Sequence, residues 1–169
     1  ELKVPHGEGA DALHPLLPVF LSYVLCFIYL AIYWNNHHHM LHTVKHVSGA
    51  IMWGNLHLLF WLSLVPFTTG WMGENHFAPL PMAAYGFVLL MAGAAYTVLQ
   101  QAIIACHGGA ESELQRAVGR DVKGKLSVAC YLAAIGLSFV APVLAGAIYV
   151  GVALMWLVPD SRIQRRVHE

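Results

Sequence analysis

The sequence predicts an all-α, polytopic membrane protein, a helical bundle of five spans forming a single transmembrane domain over residues 1–169. Three observations carry that prediction. Of the 169 residues, 58 % are hydrophobic and only 11 % charged, where a soluble domain carries roughly 25 % charge. Long stretches contain no charged side chain, and the basic residues gather in the segments between them. A mean hydropathy of +0.60 excludes a disordered chain, which needs low hydrophobicity and high charge. Nine basic residues balance nine acidic ones, so the electrostatic footprint of a nucleic-acid binder is missing and no nucleic-acid partner is expected. The expected solvent is the lipid bilayer.

Uncharged stretches run over 16–34, 49–71, 80–106 and 126–159, each at or above the roughly 18 residues that mark a membrane helix. The first three give span A (about 16–34), span B (about 49–70) and span C (about 80–105). The fourth is too long for one crossing: as a single helix it would measure about 50 Å, against a hydrocarbon core of about 30 Å. Lys123 and Lys125 precede it, and Arg162, Arg165 and Arg166 follow it. Basic groups stay on the cytoplasmic side, so both ends belong there and a tight turn at Ala141-Pro142 divides the stretch into span D (126–141) and span E (144–159). A connector, 107–125, joins C to D. Its Glu111, Glu113, Arg116 and Arg120 fall at helical spacings, the pattern of a solvated helix face. Residues 160–169 form a short tail.

This arrangement places 35–48, 107–125 and 160–169 inside, and those segments hold eight of the nine basic residues. The expected protein is therefore a multi-pass protein of the cell membrane with residue 1 outside and the C-terminus cytoplasmic. The chain opens at Glu1 with ELKVPHGEGADALHP, which has neither the basic start nor the apolar run of a signal peptide. An outside start without such a signal leads to the expectation of a further crossing upstream. Cys26, Cys106 and Cys130 are odd in number and lack Cys-x-x-Cys spacing, so they read as apolar filler.

The informative polar segment runs from Tyr33 to His46, where span A meets the cytoplasmic side. If helix A continues past Trp34, then His38, His42 and His46 form an i, i+4, i+8 stripe on one face. An antiparallel A–B hairpin turning near 47–48 brings His57 level with about His38, and Asn55 with about Met40. Unsatisfied amides and imidazoles in an apolar setting cost roughly 1–3 kcal/mol each, so Asn55 and His57 are expected to face protein. A solvated turn accounts for His42, Lys45 and His46. Histidines at i and i+4 can also chelate zinc, copper or haem iron. Neither Asp nor Glu accompanies them on these helices as ligand or support, and neither a metal nor a cofactor is expected.

Span C ends with Thr97, Gln100 and Gln101, able to hydrogen-bond neighbouring helices or water. Small residues, among them Ala83, Gly86, Ala92 and Gly93 in C, Ala134 and Gly136 in D and Ala145 and Gly146 in E, allow close helix packing. The chain has no Walker loop, no Gly-x-Ser-x-Gly and no His-Glu-x-x-His, so no enzyme is expected. With no charged residue inside any span, a carboxylate-based proton relay lacks its parts.

The segments ELKVP, IYWNNHHH, TVKHVSGAIMWGNLHLLFWLSLVPF, AAYTVLQQAII and ALMWLVPDSRI together cover essentially the whole chain. On them it resembles the transmembrane protein 175 family, potassium channels of endosomes and lysosomes with prokaryotic relatives. Trp34 and His37 match the family's Trp-x-x-His pattern; Asn55-Leu56 and Pro66-Phe67-Thr68 match its Asn-Leu and Pro-aromatic-Thr patterns. The resemblance implies six helices per unit, of which spans A to E are helices two to six, and assembly as a homotetramer conducting K⁺ passively along a central axis. The family's first helix carries an Arg, a Phe-Ser-Asp motif and the aliphatic constriction, and this chain has no counterpart to it. Any selectivity filter is expected on that absent helix, with K⁺ the permeant ion. In the family the Phe-Ser-Asp region is held by polar groups on helices two and three. The resemblance therefore assigns His37 and Asn55 to that support, with Trp34 packed beside them; Asn36, His38 and His57 match mostly the bacterial pattern. Two alternatives stand beside the channel: a haem or metal protein ligated through His37, His38, His42 or His57, and a non-conducting membrane scaffold subunit.

Overall fold

The computed structural model describes residues 14–119 and 121–157. A 3-10 turn (His14–Leu16) leads into α1 (Leu17–His42), α2 (Gly49–Glu74) and α3 (Pro79–Cys106). A second 3-10 turn (Gly109–Glu111) and the short α4 (Glu113–Val118) follow, then α5 (Val122–Leu137) and α6 (Pro142–Leu157). There is no strand among the described residues, and the protein is an all-α bundle.

The helix ends follow from local chemistry. The Ser48 hydroxyl accepts the Ile51 N–H at 3.4 Å and starts α2, and Asp121 does the same for α5 by accepting the Gly124 N–H at 3.0 Å. Pro79 and Pro142 open α3 and α6, where a missing N–H costs nothing. Pro66 stands inside α2 and deprives the Leu62 carbonyl of its helical donor. Just beyond it, the Thr68 and Thr69 hydroxyls donate back to the carbonyls of Leu64 and Val65.

α1, α2 and α3 have 26, 26 and 28 residues and are long and apolar enough to cross a membrane. α5 and α6 have 16 residues each, about 24 Å of helix. Their boundaries differ from the expected spans. α1 runs on to His42 rather than ending at Trp34, with the Asn36 amide donating back to the Ile32 carbonyl inside it; the helix stops where the Thr43 hydroxyl takes the Met40 carbonyl. The Asp121 cap advances the start of α5 to Val122, and the α5–α6 turn occupies 138–141.

α3 is the central helix, packed between α2 and α5 and touching α6, while α1 lies on α2 and reaches α6. Gly54 lets α2 close on α3: a Cβ there would sit 3.2 Å from the Leu99 Cα. One apolar cluster gathers Tyr29, Tyr85, Leu89, Tyr149 and Val152. A second, of Met40, Ile51, Leu58, Leu99, Ile103 and Leu114, lies toward the end bearing Lys45 and the connector. Between α1 and α3 large rings set the spacing, Tyr29 edge-on to Tyr85 at 5.9 Å and Tyr33 to Tyr96 at 6.4 Å.

Candidate polar site between α1 and α2

Of the histidine run, one ring turns inward. His37 is 6 % exposed, and its Nε2 lies 2.7 Å from Oδ1 of Asn55 on α2. The amide oxygen can only accept, so Nε2–H donates. The two residues sit about one turn away from the depth pairing expected from a turn at 47–48. The connection occupies 43–48, with its midpoint between Lys45 and His46, and this shift brings His37 rather than Met40 level with Asn55.

The other expected site residues do not join the pair. Trp34 is 70 % exposed and stacks on His38, ring centroids 6.3 Å apart. His38 and His42 face the same way, Nε2 to Nε2 3.0 Å. His46 is not on that stripe, because the helix ends at His42; its ring lies 4.6 Å from His107 and its Nε2 3.5 Å from the Cys106 Sγ. His57 is exposed rather than turned toward protein within this chain. Its imidazole is satisfied locally, accepting the Trp61 indole N–H at 3.0 Å. Asn36 ties α1 to α3 through its carbonyl, which accepts the Tyr96 hydroxyl at 3.3 Å.

His107 has a role that the sequence did not signal. Its Nδ1–H donates to the Ile103 carbonyl at 2.9 Å, leaving Nε2 to accept the Lys45 backbone N–H at 3.0 Å. The α1–α2 connection is thereby fastened to the end of α3, with an exposed Lys45–Glu113 ion pair at 3.6 Å alongside. Of the histidines in the haem or metal alternative, His38 and His42 face each other while His37 pairs with Asn55 and His57 with Trp61; among the described residues no group of three or more His, Cys, Asp or Glu is placed to hold a metal ion.

Chemically, the His37–Asn55 pair is a part-buried hydrogen bond with capacity to spare. Asn55 keeps two amide N–H donors and His37 keeps Nδ1, so the pair can hold one further polar group while fixing α1 against α2.

The family profile described as Endosomal/lysosomal potassium channel TMEM175 matches residues 1–66, which include Trp34, His37 and Asn55. A protein of Chryseobacterium sp. (strain P1-3) named as a potassium channel is 50 % identical over 169 residues, covering 100 % of this chain and 88 % of that protein. A second protein so named, from Streptomyces collinus (strain DSM 40733 / Tue 365), is 29 % identical over 107 residues, covering 59 % of this chain and 52 % of its own length. No solved structure matches.

Proposed function

The chain belongs to the TMEM175 family, and from that premise we propose that it is a potassium channel subunit conducting K⁺ passively through the central pore of a homotetramer. The observation that carries this reading is the 50 % identity, over the whole of this chain and 88 % of the other, to a protein named as a potassium channel. Three helices long and apolar enough to cross a membrane support the multi-pass setting that conduction requires. The protein is a channel and not an enzyme.

The described helices hold the pore rather than form its constriction. The resemblance puts the aliphatic ring on a first helix that residues 14–157 do not include; such a ring can gate by dewetting. Phe20, Phe27 and Trp34 on α1, with Trp53, Phe60 and Phe67 on α2, are large and exposed in the single chain. They suit cover by lipid or by neighbouring helices. The spare donors of Asn55 and the free Nδ1 of His37 suit the polar Phe-Ser-Asp region of such a helix. In this reading the pair positions the pore helix and touches no ion. In this reading the helix ends next to Lys45, Lys123 and Lys125 face the cytoplasm; residue 1, expected outside, and the basic tail 160–169 lie outside the described residues.

The test is K⁺ flux into liposomes containing the purified chain, beside a version carrying a family first helix ahead of Glu1. Potassium flux from the extended version, with the chain alone silent, is the expected result. Flux from neither, with both proteins folded and inserted, overturns the channel reading.

A further inference from the structure

We propose that a partly open cavity lined by α1, α3 and α5, with α4 and Trp156 of α6 at its sides, is a binding site for an uncharged amphipathic ligand: a flat ring body with one hydroxyl or carboxamide head. The site lies apart from the His37–Asn55 pair and does not depend on conduction. Because paired tyrosines hold α1 away from α3, the bundle leaves a volume of about 570 Å³ beside them. That is within the roughly 300–1,000 Å³ of sites that take drug-sized ligands, which commonly lie between the helices of bundles.

The chemistry of the walls selects the ligand. Tyr29, Tyr33, Tyr96, Tyr131 and Trp156 all line the cavity, offering ring faces and edges to a flat body. One carboxylate, Asp121, and one ammonium, Lys125, also line it, so the walls favour neither an anion nor a cation. Most of the other polar groups are already engaged. Thr97 donates to the Gly93 carbonyl, Asn36 to that of Ile32, and Ser127 donates to the Lys123 carbonyl while accepting the Trp156 indole N–H.

Of the lining amides Gln100, Gln101 and Gln115, none of which makes a side-chain hydrogen bond among the described residues, Gln100 is the buried one. It lines the cavity, is only 5 % exposed, and its carboxamide has no hydrogen-bond partner among the described residues. The buried side-chain polar atom without a partner among the described residues is the Tyr85 hydroxyl, so the Gln100 amide, which also makes no bond, is open to the head group of a ligand. The amide's complement is a group that both donates and accepts, which a hydroxyl or a carboxamide does and an acyl chain does not.

The test uses the full chain in detergent with two uncharged probes, tritiated 2-naphthol and tritiated 2-methylnaphthalene, read as saturable binding by scintillation proximity. Wild type is expected to bind 2-naphthol at one site per chain and more tightly than 2-methylnaphthalene. Gln100→Leu should weaken 2-naphthol about tenfold, the scale of one hydrogen bond, and leave 2-methylnaphthalene unchanged. Gly93→Phe should remove binding of both, because a Cβ on Gly93 meets only the Tyr33 hydroxyl, at 3.9 Å, and the ring would enter the cavity. If Gly93→Phe fails to fold, the contrast between the probes in Gln100→Leu decides alone. Absence of saturable 2-naphthol binding to folded wild type overturns the proposal. Equal affinity for both probes also overturns it, marking instead a purely apolar slot such as a lipid chain would fill.

Discussion

His37 Nε2 on α1 and Asn55 Oδ1 on α2 stand 2.7 Å apart, a part-buried hydrogen bond between two membrane-length helices. Removing Asn55 leaves the buried His37 ring without its partner. His37→Ala and Asn55→Ala should each cost about 1–3 kcal/mol, and the double variant should cost less than the two together because the pair is lost only once. A double-mutant cycle on thermal unfolding in detergent checks this. In the assembled channel these changes should alter assembly or gating and leave the K⁺ preference as it was; strict additivity of the two costs would show that the bond contributes nothing.

Gly86 and Gly136 look alike as small residues in apolar helices, and the structure separates them. A Cβ on Gly86 would collide with the Tyr149 hydroxyl and lie 2.9 Å from Ile135 Cγ1, whereas a Cβ on Gly136 meets nothing within 4 Å. Tyr149 cannot move aside freely, being buried and donating to the Met82 carbonyl at 3.0 Å. Gly86→Ala should therefore destabilise the bundle by about 1–3 kcal/mol. Gly136→Ala should be neutral or slightly stabilising, since alanine favours the helix. Comparing the two melting midpoints checks the contrast.

Two buried tyrosines make opposite predictions. The Tyr29 hydroxyl donates to the Tyr149 carbonyl, linking α1 to α6, while the Tyr85 hydroxyl has no hydrogen-bond partner among the described residues. Tyr29→Phe should cost about 1 kcal/mol. Tyr85→Phe removes only an unpaired polar group and should leave stability unchanged or raise it. A Tyr85→Phe variant that melts well below wild type would sink this assignment.

At the connector, charge matters less than the imidazole. Lys45 and Glu113 are 74 % and 72 % exposed, so Glu113→Gln should change stability by less than about 1 kcal/mol. His107 serves two backbone groups on different segments. His107→Ala should free the α1–α2 connection, raising amide hydrogen exchange at Lys45 well above that in Glu113→Gln. Equal exchange in both variants would show that the ring does not hold the loop.

The sequence by itself determined where helices form and what surrounds them. Uncharged stretches, Ser48 ahead of Gly49, and Pro79 and Pro142 at helix starts specify the elements through local rules, and the near absence of charge specifies lipid. It also carried the family resemblance, because Trp34, His37 and Asn55 stand at recognisable spacings. It could not decide which way each helix faces. A soluble helix reveals its buried side by its apolar stripe, but in a membrane both the lipid side and the protein side are apolar, and that signal vanishes. Successive residues of His37-His38-His39 point about 100° apart, so at most one ring could meet Asn55, and only the packing of α1 on α2 chose His37. For the same reason His57 looked inward by polarity yet lies exposed in the single chain, and of the adjacent amides at the end of α3 Gln100 is buried while Gln101 is exposed.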